Sequence, residues 1–262
     1  MELFLQYFPN AMLLFCRITS FFLVAPVFTA RNVPMQFKIG LSFFLTLMAI
    51  SAIGEAPIPM DGEYLLSIIK EILIGLLLGL IANLFFTAVQ IAGAFIDVQI
   101  GFAMANVIDP MTGVQTPLLG NFKYFIALLL FLSFNGHHLL IQAIVDSYEW
   151  VPLSNDLFAH IYQGQVSEFF LQSFIKAFAL AFQMAAPLVA SLFLVDVGLG
   201  VLARTAPQFN IFVLGIPMKI LVGLLLLFLF VPGMYNLFSD LFRTLFEYVT
   251  RLLELLAMRG SS

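Results

Sequence analysis

The sequence predicts an all-α integral membrane protein, and three observations carry that prediction. Hydrophobic residues make up 62% of the chain and charged residues 10%, and the mean hydropathy is +1.05, a composition that no soluble domain could bury. Ile72 to Ile96 is a run of 25 residues without a charge. As a helix it would reach about 37 Å, longer than the hydrocarbon core of a bilayer. Finally, the apolar residues fall into six segments separated by short polar connections, so one membrane-integrated domain is expected over residues 1–259, with Gly260, Ser261 and Ser262 reading as an appended tail as much as native sequence.

The first segment runs from about Leu3 to Phe28. It lacks a basic n-region and its apolar character continues past Arg17, so it is expected to be retained and not cleaved as a signal. The one cysteine, Cys16, excludes an internal disulfide. The second segment, Ile39 to Gly54, is short for a spanning helix, whereas the third, Leu65 to Ile96, and the fifth, Phe169 to Leu202, are long. The fourth is Phe122 to Val145. Within it His137 and His138 are adjacent, pointing about 100° apart on a helix, and with Asn135 and Gly136 they read as the end of that helix and not as a metal clamp. The sixth segment, Phe209 to Phe238, leads into an amphipathic tail over Leu237 to Met258. Asp240, Arg243, Glu247, Arg251 and Glu254 recur there on one stripe, opposite Phe238, Leu241, Leu245, Val249, Leu252 and Leu256. That face fits a helix lying in the membrane interface or one docked in an assembly.

Pro26, Pro187, Pro217 and Pro232 each remove an amide donor, so kinked or broken helices are expected near all four. Positive-inside counting places the odd connections, with Arg31, Lys38, Lys123 and Arg204, in the cytoplasm and the N-terminus outside. The basic residues Arg243, Arg251 and Arg259 at the other end do not fit a simple six-span path. Ala30 to Phe37 and Ala203 to Phe209 resemble each other faintly, a short and gapped echo.

Two features could carry function. After Asp97 the chain becomes polar and glycine-spaced, with Gly101, Asn106, Asp109, Pro110 and Gly113 set between Phe102, Met104, Val107, Ile108 and Met111. Irregular backbone at membrane depth must pack on protein or line an aqueous cavity, because lipid cannot satisfy its amides. The stretch therefore faces a pore or a partner, or else it is an ordinary polar connection at the cytoplasmic side. The second feature is the set of charges in or beside apolar segments: Arg17, Lys70, Glu71, Asp97, Lys176, Asp196, Arg204 and Lys219. A charge at a helix centre costs about 2.5 to 3.5 kcal/mol on insertion scales, so these residues pair, snorkel or form an ion relay. Arg17 and Asp196 are the most central. Gly75 with Gly79, Ala88 with Ala92, and Gly93 beside them permit close helix packing. No HExxH, GxSxG, Walker loop or paired cysteines at metal spacing occurs, and a net charge of −4 without a basic run points away from nucleic acid.

Several motifs in order then carry a resemblance: Ala25-Pro26-Val27-Phe28 with Pro34 and Lys38-x-Gly40-Leu41; Glu71 with Gly75 and Gly79; Ala92-Gly93 with Asp97 and Gly101; Asp109-Pro110; Asn135-Gly136-His137-His138; and Pro207-Gln208-Phe209-Asn210-x-Phe212 with Gly215-x-Pro217-x-Lys219. The chain resembles the FliR family of flagellar biosynthesis membrane proteins, subunits of the bacterial type III export apparatus, from Phe4 to about Leu256. The resemblance implies a non-enzymatic subunit without cofactor or metal, in the inner membrane at the flagellar basal body. It implies kinked helical hairpins embedded in a helical hetero-oligomeric export gate with FliP and FliQ, with FlhB and FlhA nearby and unfolded flagellar proteins as cargo. It also implies that the loop around Gly101 to Thr116 plugs the closed channel, with Phe102, Met104, Ile108 and Met111 as its apolar teeth. The alternative from another class is a secondary transporter that uses Asp196 and Arg17 near broken helices.

Overall fold

The computed structural model describes residues 2–30, 32–53, 58–59, 62–102, 117–153, 164–206, 208 and 211–257. These residues form seven α-helices and no strand: α1 (Glu2–Val24), α2 (Met35–Ile53), α3 (Tyr64–Ile100), α4 (Leu118–Ser133), α5 (Gly136–Trp150), α6 (Gln165–Thr205) and α7 (Ile211–Ala257). Four of them, α1, α3, α6 and α7, are long and apolar enough to cross a bilayer, and α4 with α5 could make a fifth, broken span. The chain is an all-α integral membrane protein.

Local chemistry sets the ends of these helices. Pro26 cannot continue α1, and Val27 at φ 73° turns the chain away, a left-handed value rare for a β-branched residue. Pro34 precedes α2, and its carbonyl accepts the amides of Phe37 and Lys38. Inside α2 the hydroxyls of Ser42 and Thr46 donate to carbonyls one turn back, which satisfies them in an apolar helix. α3 runs four residues past the apolar segment, so Asp97 lies within its last turn and not at the start of a loop.

The predicted fourth segment is not one helix. It breaks at Asn135, which is left-handed at φ 56°, and α4 and α5 meet at 70°. Gly136 is required there, because a Cβ would run into the ring of Phe131 one turn earlier. His137 and His138 thus open α5 instead of ending a helix, with their ring centroids 4.2 Å apart. Of the kink or break expected at the later prolines, the break does not occur. α6 runs unbroken through Pro187, and α7 through both Pro217 and Pro232. A proline forfeits one intrahelical hydrogen bond, and membrane helices tolerate that when the other bonds of a very long helix remain.

The chain divides into two compact units. The first, residues 1–84, 131–174 and 243–262, contains α1, α2, the first part of α3, α5 and the end of α7. In it Leu13 and Leu14 pack with Tyr148 and Leu153, flanked by Ile50, Ile58, Tyr64 and Ile68. The amphipathic tail belongs here as the last turns of α7. Leu245, Val249, Leu252, Leu253 and Leu256 are buried within the chain itself, and Phe246 stacks on Phe131 at 6.1 Å. The tail helix is therefore docked in its own fold, with Arg243, Glu247, Arg251 and Glu254 exposed.

The second unit, residues 85–130 and 175–242, contains the later part of α3, α4, most of α6 and the first part of α7. Phe86 lies 5.9 Å from both Tyr124 and Phe242. α6 turns Ala177, Ala181 and Ala185 inward, a small-residue stripe at four-residue spacing, and leaves Phe178, Phe182, Phe193 and Leu194 exposed.

Candidate functional site

In the first unit the central charge of α1 is neutralised. Arg17 is fully buried and lies on α1 opposite α3 and α5. Its Nε donates to Glu71 Oε2 at 2.5 Å, its Nη1 to the Ser147 carbonyl at 3.2 Å and Ser147 Oγ at 3.0 Å, and its Nη2 to the Val151 carbonyl at 2.8 Å. The guanidinium also sits 4.0 Å above the ring of Tyr148. Lys70 donates to the Leu153 carbonyl, and its ammonium lies 3.6 Å from Glu71 Oε1. The acceptors cluster at the C-terminus of α5, the negative end of its dipole: the Ser147 carbonyl, which also accepts the Val151 amide at 2.9 Å, and the Val151 and Leu153 carbonyls just past the helix end. Two cations from α1 and α3 cap them. The knot is structural pairing, with no water-accessible charge for a relay.

The small residues explain how α1 and α3 approach closely enough. A Cβ on Gly75 would overlap the Arg17 carbonyl and Ser20 Oγ, and one on Gly79 would come within 2.9 Å of the Phe21 carbonyl. Ala88 and Ala92 are fully buried in the second unit.

In the second unit the last turn of α3 is held on three sides. Asp97 is buried, and the Leu119 amide donates to both its carboxylate oxygens at 3.1 Å while the Gly120 amide donates to Oδ2 at 3.4 Å. The carboxylate thereby serves α4 as a capping group supplied from another helix. Gln99 Nε2 donates to Asp196 Oδ2 at 2.8 Å, and Lys219 forms an ion pair with Asp196 at 2.8 Å, joining α3, α6 and α7. Ile100 fills the space in front of Gly223. Asp196, expected as a relay candidate, is thus paired and its side chain is 37% exposed. Arg204, expected to be at least half-buried, is exposed in the last turn of α6, where a cation suits the helix dipole.

Of the anticipated loop residues, Gly101 takes φ 101° and Phe102 is half-buried. Met104, Asn106, Ile108, Asp109, Pro110 and Met111 lie outside the described residues, as do Arg31, Pro207 and Phe209 of the internal echo. Sequence reasoning missed Gln99, Gly120, Ser147 and Tyr148. Only Gly120 carried a usable signal, a small residue three positions after Pro117 in the first turn of a helix.

Three relatives span most of the chain, each described as a flagellar biosynthetic protein FliR. The Bacillus subtilis protein is 44% identical over 98% of this chain and 100% of its own length. The Escherichia coli protein is 33% identical over 90% and 91%, and the Aquifex aeolicus protein 30% identical over 93% and 94%. Residues 8–245 match the family described as bacterial export proteins, family 1.

Proposed function

The chain belongs to the bacterial export proteins, family 1, a family of the flagellar biosynthesis apparatus, and from that premise we propose that it is a channel-forming subunit of the flagellar protein export gate. In this reading it acts as a transport subunit and not an enzyme. It sits in the bacterial inner membrane at the flagellar basal body, assembles with FliP and FliQ near FlhB and FlhA, and passes unfolded flagellar subunits. Gly101, Phe102, Met104, Asn106, Ile108, Asp109, Pro110 and Met111 form the plug of the closed channel.

The observation that carries the assembly is the length of the exposed apolar face of α6. Exposed large apolar side chains occur on this helix from Leu171 to Phe182 and again from Phe193 to Leu202. At about 1.5 Å per residue that face extends roughly 47 Å, against about 30 Å of hydrocarbon in a bilayer. To hide it in lipid alone, the helix would have to tilt by about 50°, beyond the range of about 0–40° that spanning helices adopt. Neighbouring protein of the same apolar character covers the remainder. Against the transporter reading, which uses Asp196 and Arg17, stands the burial of Arg17 among four acceptors and the pairing of Asp196 with Lys219.

The test is the native mass of the tagged chain purified in mild detergent from its own cells. A large assembly with other small apolar subunits is expected. A homogeneous species at 29.2 kDa or a small multiple of it, active in moving a solute across liposomes, would overturn the proposal.

A further inference from the structure

α7 changes character abruptly along its exposed side. Between Ile211 and Ser239 the one charged residue is Lys219, and it is paired with Asp196. Over that first half the exposed side chains are apolar, among them Met218, Leu221, Leu225, Phe228 and Val231, with Phe228 80% exposed. Among the described residues no large apolar side chain beyond Tyr235 is exposed. From there on α7 exposes Asn236, Ser239, Asp240, Arg243, Glu247 and Arg251. The helix runs through this change without a break.

The length of the apolar part matches one solvent in particular. Val213 to Tyr235 spans roughly 33 Å as a helix, against about 30 Å of hydrocarbon in a bilayer. A tilt of roughly 25° makes the two equal, inside the range that spanning helices adopt. Side-chain size points the same way. Helix faces that pack on other membrane helices are enriched in small residues. On α7 the small residues Gly215 and Gly223 are buried, and a Cβ on Gly223 would strike Ile100, while the large branched and aromatic side chains face outward. α6 differs, because Lys176, Gln183 and Gly198 are exposed on it. Tyr235, an apolar ring with a polar tip, stands at the border, as aromatic residues do where hydrocarbon meets the headgroups.

We infer that α7 presents Val213 to Tyr235 to lipid acyl chains, that the hydrocarbon ends at Tyr235, and that the helix from Asn236 to Ala257 stands outside it with its charged stripe toward water. Charge decides the placement. Hydrocarbon excludes unpaired charge, and the exposed charges of α7 all lie on one side of Tyr235.

The experiment places single spin labels on α7 of the full-length chain in a Cys16→Ser background, purified from its own cells and held in nanodiscs of phosphatidylethanolamine and phosphatidylglycerol. Leu225→Cys, Phe228→Cys, Ser239→Cys and Thr250→Cys carry the label at positions exposed in the structure. Collisions with oxygen, which partitions into acyl chains, are compared with collisions with a water-soluble nickel chelate. Oxygen is expected to dominate at Leu225 and Phe228 and nickel at Ser239 and Thr250, so that the ratio inverts across Tyr235. Few collisions with either reagent at Leu225 and Phe228 would mean that protein covers them, and nickel dominance there that they line water; either result overturns the inference. Oxygen dominance at Thr250 overturns it too, by placing the tail in hydrocarbon. A charge scan gives a second reading that needs no label: Leu225→Arg should lower the amount of chain recovered in membranes, and Ser239→Arg should leave it at the wild-type amount. Equal recovery of these two variants would refute the boundary.

Discussion

Replacing Glu71 by alanine leaves the Arg17 guanidinium buried with its counter-charge gone. Breaking a buried pair by removing one partner costs about 3–5 kcal/mol. The low end applies here, because the carbonyls of Ser147 and Val151 and the hydroxyl of Ser147 still accept from Arg17. Lys70 offers no relief, since it is a second cation and already donates to the Leu153 carbonyl. For a chain of this size each 1 kcal/mol moves the unfolding midpoint by about 2–4 °C, so Glu71→Ala should lower it by roughly 6–12 °C. Arg17→Met should be at least as damaging, as it removes the donor to Glu71 Oε2, leaving that carboxylate the Lys70 ammonium at 3.6 Å, and takes a donor from the Ser147 and Val151 carbonyls together. The double variant Arg17→Met/Glu71→Leu removes both charges, so its loss should fall short of the sum of the singles, with a coupling of about 2 kcal/mol or more. The assay is heat challenge of the detergent-purified protein, followed by the fraction remaining monodisperse on size exclusion. A shift below about 2 °C for Glu71→Ala, or additive singles, would refute the reasoning.

Close packing and the orientation of α7 give two further expectations. Gly75→Ala should destabilise by about 1–3 kcal/mol because its Cβ collides with α1, while Gly198→Ala, where a Cβ meets nothing within 4 Å, should stabilise by about 0.5–1 kcal/mol in the same heat assay. Leu245→Ala on the buried face of α7 should cost about 2–5 kcal/mol, whereas Arg251→Ala on its exposed stripe should stay within about 0.5 kcal/mol; equal effects would contradict the docking of this helix within its own chain.

Hydropathy revealed the helices well because membrane helices are selected for apolar composition, which is local information. α3 lies within a few residues of its predicted span. A helix end at Asn135 and Gly136 was legible, since Asn-Gly is a turn dipeptide; that a second helix starts at once was not, because the apolar residues run on past it within one segment. At prolines 187, 217 and 232, where a kink or a break was expected, the helices are not broken, because the length of the helix outlasts one missing hydrogen bond. The amphipathic tail was read correctly as a helix with one apolar face. What covers that face was not legible, because burial against one's own chain and burial against a partner leave the same periodicity. At the candidate site, Arg17, Glu71 and Asp97 stood out as charges among apolar residues. Their partners did not, because Ser147 is 130 residues from Arg17 and the groups that Asp97 binds are backbone amides that any residue possesses. The glycines marked where helices could touch without saying which helix each would meet.

The Arg17 knot has a consequence for synthesis of the chain. Arg17 leaves the ribosome early, while Glu71 follows 54 residues later and Val151 follows 134 residues later. At about 5–20 residues per second, the first helix waits roughly 7–27 s before the last of these acceptors exists. Until Glu71 has been made that guanidinium has no counter-charge in an apolar helix, a cost of about 2.5–3.5 kcal/mol on insertion scales, and until α5 follows it lacks its remaining acceptors. The full set of acceptors that fixes Arg17 therefore exists only after α5 has been made, although α1 precedes it in the chain by more than a hundred residues.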